Sequence, residues 1–205
     1  MKTVLHVGLE PPQREDVKII HCPLIETVPR VLESLSGIDE ATCVIATSKT
    51  AVRCLFQEYR EAEELKKKLF LSVGRATTEC LKSFGVQDIT TAQDESQEGV
   101  VELIRDMKGA HRSFFWGHSA LSRQFLSNFI REEGYALVEC VLYDTVYRRP
   151  ETFVCLDEVD EIFFSSPSTV AAFCSFFGEL PKDKKLHAQG RQTALAIQAA
   201  VAQTT

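Results

Sequence analysis

The chain has 205 residues, with 23 basic side chains against 29 acidic ones and a formal net charge of −6. That balance excludes nucleic acid as the main partner, because phosphate binding leaves a basic excess. No apolar run approaches the roughly 20 residues a membrane helix needs, so no membrane partner is expected. The opening "MKTVLHVGLEPP" lacks the long apolar run and small-residue cleavage site of a signal peptide, which points to the cytosol. The seven cysteines (Cys22, Cys43, Cys54, Cys80, Cys140, Cys155, Cys174) include no CxxC pair and fall mostly in apolar runs. They read as small core residues in a reducing compartment, not as disulfide or zinc partners.

In chain order, strands are expected over 3–9, 17–25, 42–46, 69–73, 113–116, 136–147, 161–165 and 185–189. Helical spacing lies between them. Val52, Leu55, Phe56 and Tyr59 form one apolar face, spaced i, i+3, i+4, i+7. Thr77, Cys80, Leu81 and Phe84 form a second, closed by Gly85 as the residue after the helix, a position that favours glycine. Val100, Leu103, Ile104 and Met107 form a third behind a Ser96 cap, and a fourth helix is expected from Ser119 to Glu133, stopping at Gly134. The Glu63–Lys67 and Glu64–Lys68 pairs read as a solvated helix face. Strand followed by helix, repeated, predicts parallel sheets covered by helices, an α/β fold.

The chain also repeats itself. "TSKTAV" (47–52) aligns with "SSPSTV" (165–170), and the apolar face that follows matches as well. "SVGRATTECL" (72–81) aligns with "AQGRQTALAI" (188–197) at a nearly equal offset, and "PLIETVP" (23–29) echoes "VLYDTVY" (141–147). Three matches in one order predict an internal duplication: two similar α/β lobes with a cleft between them. Each repeated element is a strand-to-helix turn, where open parallel sheets bind ligands. Ser48 and Ser166 also suit plain helix capping. However, Lys49, Arg75, Arg123 and Arg191 all fall in or beside an expected first turn, and His118 precedes another. Cations there are unfavourable by about 0.3–1 kcal/mol. An anionic ligand held by helix starts would account for them.

These motifs resemble the uroporphyrinogen-III synthase family. "IATSKTAV" is similar to its first strand-to-helix turn, "VGRATTECLKSFG" to its V-G-x-x-T motif, and "LYDTVY" to its returning strand. "FFSSPSTVAAF" resembles its Ser-Pro-Ser turn and "AQGRQTALAI" its final G-x-x-T-A motif. The resemblance implies two parallel-sheet lobes joined by a two-stranded ladder. Residues 1–23 and 150–205 would form a trimmed first lobe, 31–140 the second, and 24–30 with 141–149 the ladder.

It further implies a monomeric enzyme without metal or organic cofactor that acts on hydroxymethylbilane and is functionally coupled to hydroxymethylbilane synthase. The linear tetrapyrrole loses its hydroxyl as water, and ring D attacks through its substituted α-carbon. The spiro intermediate fragments and recloses with that ring inverted, giving uroporphyrinogen III; unaided closure gives isomer I. Tyr143 matches the tyrosine that assists departure of the hydroxyl, with Tyr147 as a substitute on the same strand. The eight carboxylates of the substrate would meet Thr47, Ser48, Lys49, Gly74, Arg75, Thr77, Gly117, His118 and Arg123 in one lobe. Ser165, Ser166, Ser168, Gly190, Arg191 and Thr193 would meet them in the other. Two other readings remain at this point: a non-catalytic two-lobed binder of an anionic ligand, and a receiver-type regulatory domain. The latter predicts an acidic cluster at the strand ends, where this chain has hydroxyls.

Overall fold

A computed structural model describes residues 1–12, 15–32, 35–59, 62–152 and 154–202. The chain divides into two compact units, Met1–Glu26 with Thr145–Thr205, and Thr27–Asp144.

The first unit holds a four-stranded, all-parallel sheet built from β1 (Thr3–Val7), β2 (Lys18–His21), β9 (Glu161–Phe164) and β10 (Lys185–Ala188), in the order β10-β9-β1-β2. Helices α6 (Pro167–Phe177) and α7 (Arg191–Ala202) pack on each other and against β9 and β10. Leu5, Val7, Ile162, Phe164, Val170 and Phe173 make the core, each full burial contributing about 1.5–3 kcal/mol. The expected strand 17–25 is two strands, β2 and β3 (Ile25–Pro29). Pro23 has no N–H for a ladder and interrupts it.

In the second unit the sheet has the order β3-β8-β7-β4-β5-β6. It comprises β4 (Cys43–Ala46), β5 (Leu69–Ser72), β6 (Ile89–Thr91), β7 (Ser113–Ser119) and β8 (Ala136–Tyr147) beside β3. From β8 to β6 every pairing is parallel. β3 runs antiparallel to the far half of β8: the Arg148 N–H donates to the Leu24 carbonyl (2.8 Å) and the Arg30 N–H to the Leu142 carbonyl (2.9 Å). Residues 141–147 are therefore the second half of one continuous strand, whose first half pairs with β7. A bidentate ion pair between Arg30 and Asp144, 2.7 Å at both contacts, spans β3 and β8.

Both faces of this sheet are covered. Val44 and Ala46 face α1 (Lys49–Glu58) and α3 (Arg75–Ser83), with Val52, Leu55, Phe70 and Leu81 in that core. Cys43 and Ile45 face the opposite way, toward α4 (Gln97–Asp106) and α5 (Phe125–Glu132), with Val100, Ile104, Leu126 and Ile130. A strand buried on both faces reads as a continuous apolar run, as "CVIA" does. Gly85 ends α3 with φ +88°, the left-handed conformation that favours glycine after a helix.

Three local expectations change. The fourth helix starts at Phe125, not Ser119, because His118 and Ser119 continue β7. β6, only three residues long, is too short to show a period. The acidic–basic pairs are Glu63–Lys66 and Glu64–Lys67, three residues apart, beside a single-turn helix α2 (Ala62–Leu65), while Lys68 donates to the Asp39 and Ala41 carbonyls.

Candidate active site

At the carboxyl end of β4, Ser48 takes an extended backbone and caps α1, its hydroxyl oxygen accepting from the Ala51 N–H at 3.0 Å. The same oxygen lies 3.0 Å from the Tyr143 phenol. Tyr143 is 7% exposed, and its ladder partner across the sheet is Ser119. Thr47, next to Ser48, accepts from the Trp116 indole N–H at 3.1 Å. β4, β7 and β8 thus bring Thr47, Ser48, Ser119 and Tyr143 to one crest. Ser119 carries no motif of its own and was not expected there.

The position of Tyr143 rests on a register shift. His118 pairs with Val141, but Ser119 pairs with Tyr143, so Leu142 is an extra residue on β8. Without that bulge Ser119 would face Leu142, and the tyrosine would point to the other side. Leu142 and Tyr143 consequently both join the core on the α1 side. Gly117 makes room for this: a Cβ there would meet Leu142 Cδ1 at 2.5 Å. Its lack of a side chain serves the packing of β8.

The proton inventory around Tyr143 is informative. The Ser48 oxygen accepts from Ala51 N and the Ser119 oxygen from Leu121 N at 3.2 Å. The Ser48 hydroxyl keeps its own proton and can donate it to the phenol oxygen. In that arrangement the tyrosine proton is free to donate elsewhere. Burial raises the Tyr143 pKa above its ordinary value, opposed chiefly by the Ser48 hydrogen bond; the group remains a protonated phenol near neutral pH.

At the end of β5, Arg75 is the first residue of α3, and Thr77 is buried one turn in. The Arg75 N–H is already bonded to the Glu95 carboxylate at 2.8 Å. Glu95 also fills the space beside Gly74, where a Cβ would meet its Cδ at 2.6 Å. This carboxylate, unmarked by any sequence motif, sits where a ligand carboxylate was expected. The neighbouring Thr78 hydroxyl, donating to Ser72 Oγ at 2.9 Å and lying 2.7 Å from Thr91 Oγ1, ties β5 to β6.

Lys49 stands at the first position of α1. Arg123 precedes the Gln124 cap of α5, and its guanidinium forms a two-point contact with Glu98 at 2.9 and 2.8 Å. That bond holds the Glu98 pKa down at about 2. The structure thus places Arg123 in an ion pair with Glu98. His118 is buried within β7 and does not stand at a helix start.

In the first unit, Ser166 caps α6 in a reciprocal capping box with Thr169, and Pro167 opens the helix. Ser166 Oγ lies 2.8 Å from Ser168 Oγ. The Ser165 N–H pairs with the Val7 carbonyl at 3.2 Å, which keeps this residue at the β1–β9 edge. Gly190 precedes α7, whose first residue is Arg191, and Thr193 is buried behind it. A Cβ on Gly190 would meet nothing within 4 Å; unlike Gly74, its backbone is open to approach. Tyr147 is half exposed and packs edge-on against Phe176. Among the described residues no group of His, Cys, Asp and Glu is placed to hold a metal ion, and no helix is long and apolar enough to cross a membrane.

The profile described as "Uroporphyrinogen-III synthase HemD" matches residues 12–203. The fold is similar to that of uroporphyrinogen-III synthetase from Helicobacter pylori, with a TM-score of 0.67 and 18% identity over 97% of this chain and 89% of that one. A mutant, selenomethionine-substituted uroporphyrinogen III synthase from Thermus thermophilus gives a TM-score of 0.62 at 17% identity, covering 97% and 89%. The wild-type Thermus enzyme in another crystal form gives 0.55 at 20%, covering 97% and 88%. No curated protein sequence matches significantly. With the profile spanning nearly the whole chain and the same fold in these structures, the protein belongs to the uroporphyrinogen-III synthase family.

Proposed function

We propose that this chain closes hydroxymethylbilane into uroporphyrinogen III with Tyr143 as the proton donor to the departing hydroxyl. The reaction is the cyclising lyase step of its family in heme biosynthesis. The C–O bond breaks, the Tyr143 proton leaves with the hydroxyl as water, and the azafulvenium cation that remains, its charge balanced by the phenolate, is attacked by ring D. The observation that carries this role is the Ser48 hydroxyl 3.0 Å from the buried phenol oxygen. Donating there, it turns the tyrosine proton outward and stabilises the phenolate as the proton departs.

Since ring closure is intrinsically easy, the larger task is orientation. Thr47, Lys49 and Thr77 offer hydroxyls and a cation for carboxylates at the helix starts of the second unit; at those of the first unit, taken by itself, Ser165, Ser166, Ser168, Gly190, Arg191 and Thr193 offer the same kinds of group. We also place the enzyme in the cytosol as a monomer that receives its unstable substrate from hydroxymethylbilane synthase. Incubation with hydroxymethylbilane and separation of the product isomers tests the activity: uroporphyrinogen III is expected. Isomer I alone, at the spontaneous rate, overturns it.

A further inference from the structure

The residues around Tyr143 form a closed circuit, and His118 is one of its members. Tyr143 contacts Ser48 through its phenol, and its backbone pairs with β7 at Ser119, the Ala120 N–H donating to the Tyr143 carbonyl at 3.1 Å. Ser48 follows Thr47, which accepts from the Trp116 indole. The Trp116 ring packs on the His118 imidazole with centroids 4.3 Å apart. His118 Nδ1 lies 2.8 Å from the Ser119 carbonyl oxygen, returning the circuit to the ladder partner of Tyr143.

A carbonyl only accepts, so Nδ1 carries the proton in this contact. The same carbonyl accepts from the Ser122 N–H at 3.0 Å, and the two donors together engage both of its lone pairs. This happens at the step where the β7–β8 register shifts. A bulge loosens the local ladder, and here the His118 side chain takes over part of the task of fixing the Ser119 peptide. The other ring nitrogen, Nε2, is buried without a hydrogen-bond partner, since Glu139 Oε1 stands 3.7 Å away and the Glu139 carboxylate is itself bonded by Arg131. The ring is therefore positioned by Trp116 on its face and by Ser119 at Nδ1.

We infer that His118 is a positioning residue for the reaction: by holding the Ser119 carbonyl at the register shift it fixes the strand segment paired with Tyr143, and so places the phenol. This rests on the reading of Tyr143 as the proton donor. It assigns His118 a part different from direct contact with a substrate carboxylate.

Two substitutions separate the ring nitrogens. In His118→Asn the amide nitrogen takes the place of Nδ1 and retains the donor to Ser119. In His118→Gln it takes the place of Nε2, and the carbonyl loses its donor. Full-length variants, checked for folding by thermal unfolding, are assayed for kcat, KM and isomer ratio with hydroxymethylbilane. His118→Gln is expected to lower kcat by about 10- to 100-fold, the scale of a small misplacement at a reacting centre, with KM little changed. His118→Asn is expected to recover most of that loss. The double variant His118→Gln/Tyr143→Phe should be no slower than Tyr143→Phe alone, because both changes remove one function. Equal kcat for the Asn and Gln variants, or losses that multiply in the double variant, overturns the role of His118 and leaves Tyr143 standing. A Tyr143→Phe enzyme with full kcat overturns the reading beneath it.

Discussion

The Ser48 oxygen caps a helix and touches the Tyr143 phenol at once, 3.0 Å from the Ala51 nitrogen and 3.0 Å from the tyrosine oxygen. One atom therefore serves the helix and, in the role proposed for Tyr143, the chemistry as well. Ser48→Ala is expected to lose about 0.5–2 kcal/mol of folding stability, the usual cost of an N-cap. It should also reduce kcat about tenfold, the scale of a lost hydrogen bond worth roughly 1.4 kcal/mol in the transition state. Ser48→Thr keeps both bonds and should restore both properties. Chemical denaturation alongside the isomer assay measures the two losses separately.

Gly117 offers a test of the bulge. A methyl group there would stand 2.5 Å from Leu142 Cδ1. Gly117→Ala should therefore destabilise the protein by about 1–3 kcal/mol, as overpacking does. Its kcat should fall further than that of an equally destabilised core variant on α4, because Tyr143 moves with Leu142. Equal activity in two such stability-matched proteins would show that the register shift has no bearing on the reaction.

Glu95 occupies the amide start of α3. Glu95→Ala should lower stability by roughly 0.3–1 kcal/mol, the value of a carboxylate at a helix N-terminus. It should lower KM several-fold, since a negative charge that competes with the substrate is gone. A KM unchanged within error would remove the Gly74–Arg75 turn from the substrate's contacts.

The Arg123–Glu98 pair predicts a dependence on acid. Glu98 titrates at about 2 instead of 4.5, chiefly because of its hydrogen bonds to Arg123. The pair thus stabilises the folded state fully above pH 4.5 and loses that contribution as the pH falls toward 2. Both side chains are more than one-third exposed, at 38% and 36%, so the gain is about 1 kcal/mol or less and shrinks in salt. Arg123→Met should flatten the stability profile between these pH values while leaving kcat at neutral pH unchanged. A profile identical to that of the parent protein contradicts the assignment.

Much of the architecture was legible because burial leaves a period. "CVIA" and "LFLS" read as buried strands, and the faces led by Val52, Thr77 and Val100 read as helices, since each lies between a covered sheet and water. The cations at the starts of α1, α3 and α7 were likewise visible. What the letters hid depends on partners distant in sequence. Ser119 matters only through a register shift against β8, and Glu95 only because its loop folds back over a turn 20 residues earlier. Nothing local distinguishes Arg123, which faces Glu98, from a cation awaiting a ligand. The fourth helix began late because a strand with aromatic "FFW" continued through "GHS", residues with no strong preference for either state.

The pairing of β1 with β9 has a consequence for biosynthesis. Val4 meets Glu161, and Thr3 bonds Asp160, 157 positions further along the chain. By contrast, Thr27–Asp144 is contiguous. As the polypeptide leaves the ribosome, the amino-terminal strands must stay soluble and unmatched until the segment that completes their sheet has been translated, a wait of seconds at about 5–20 residues per second. Ribosome-arrested chains that stop before Glu161 should show protease resistance across the contiguous body and rapid cleavage within the first 26 residues. The open edges of β1 and β2 are where a holding chaperone has the most to protect.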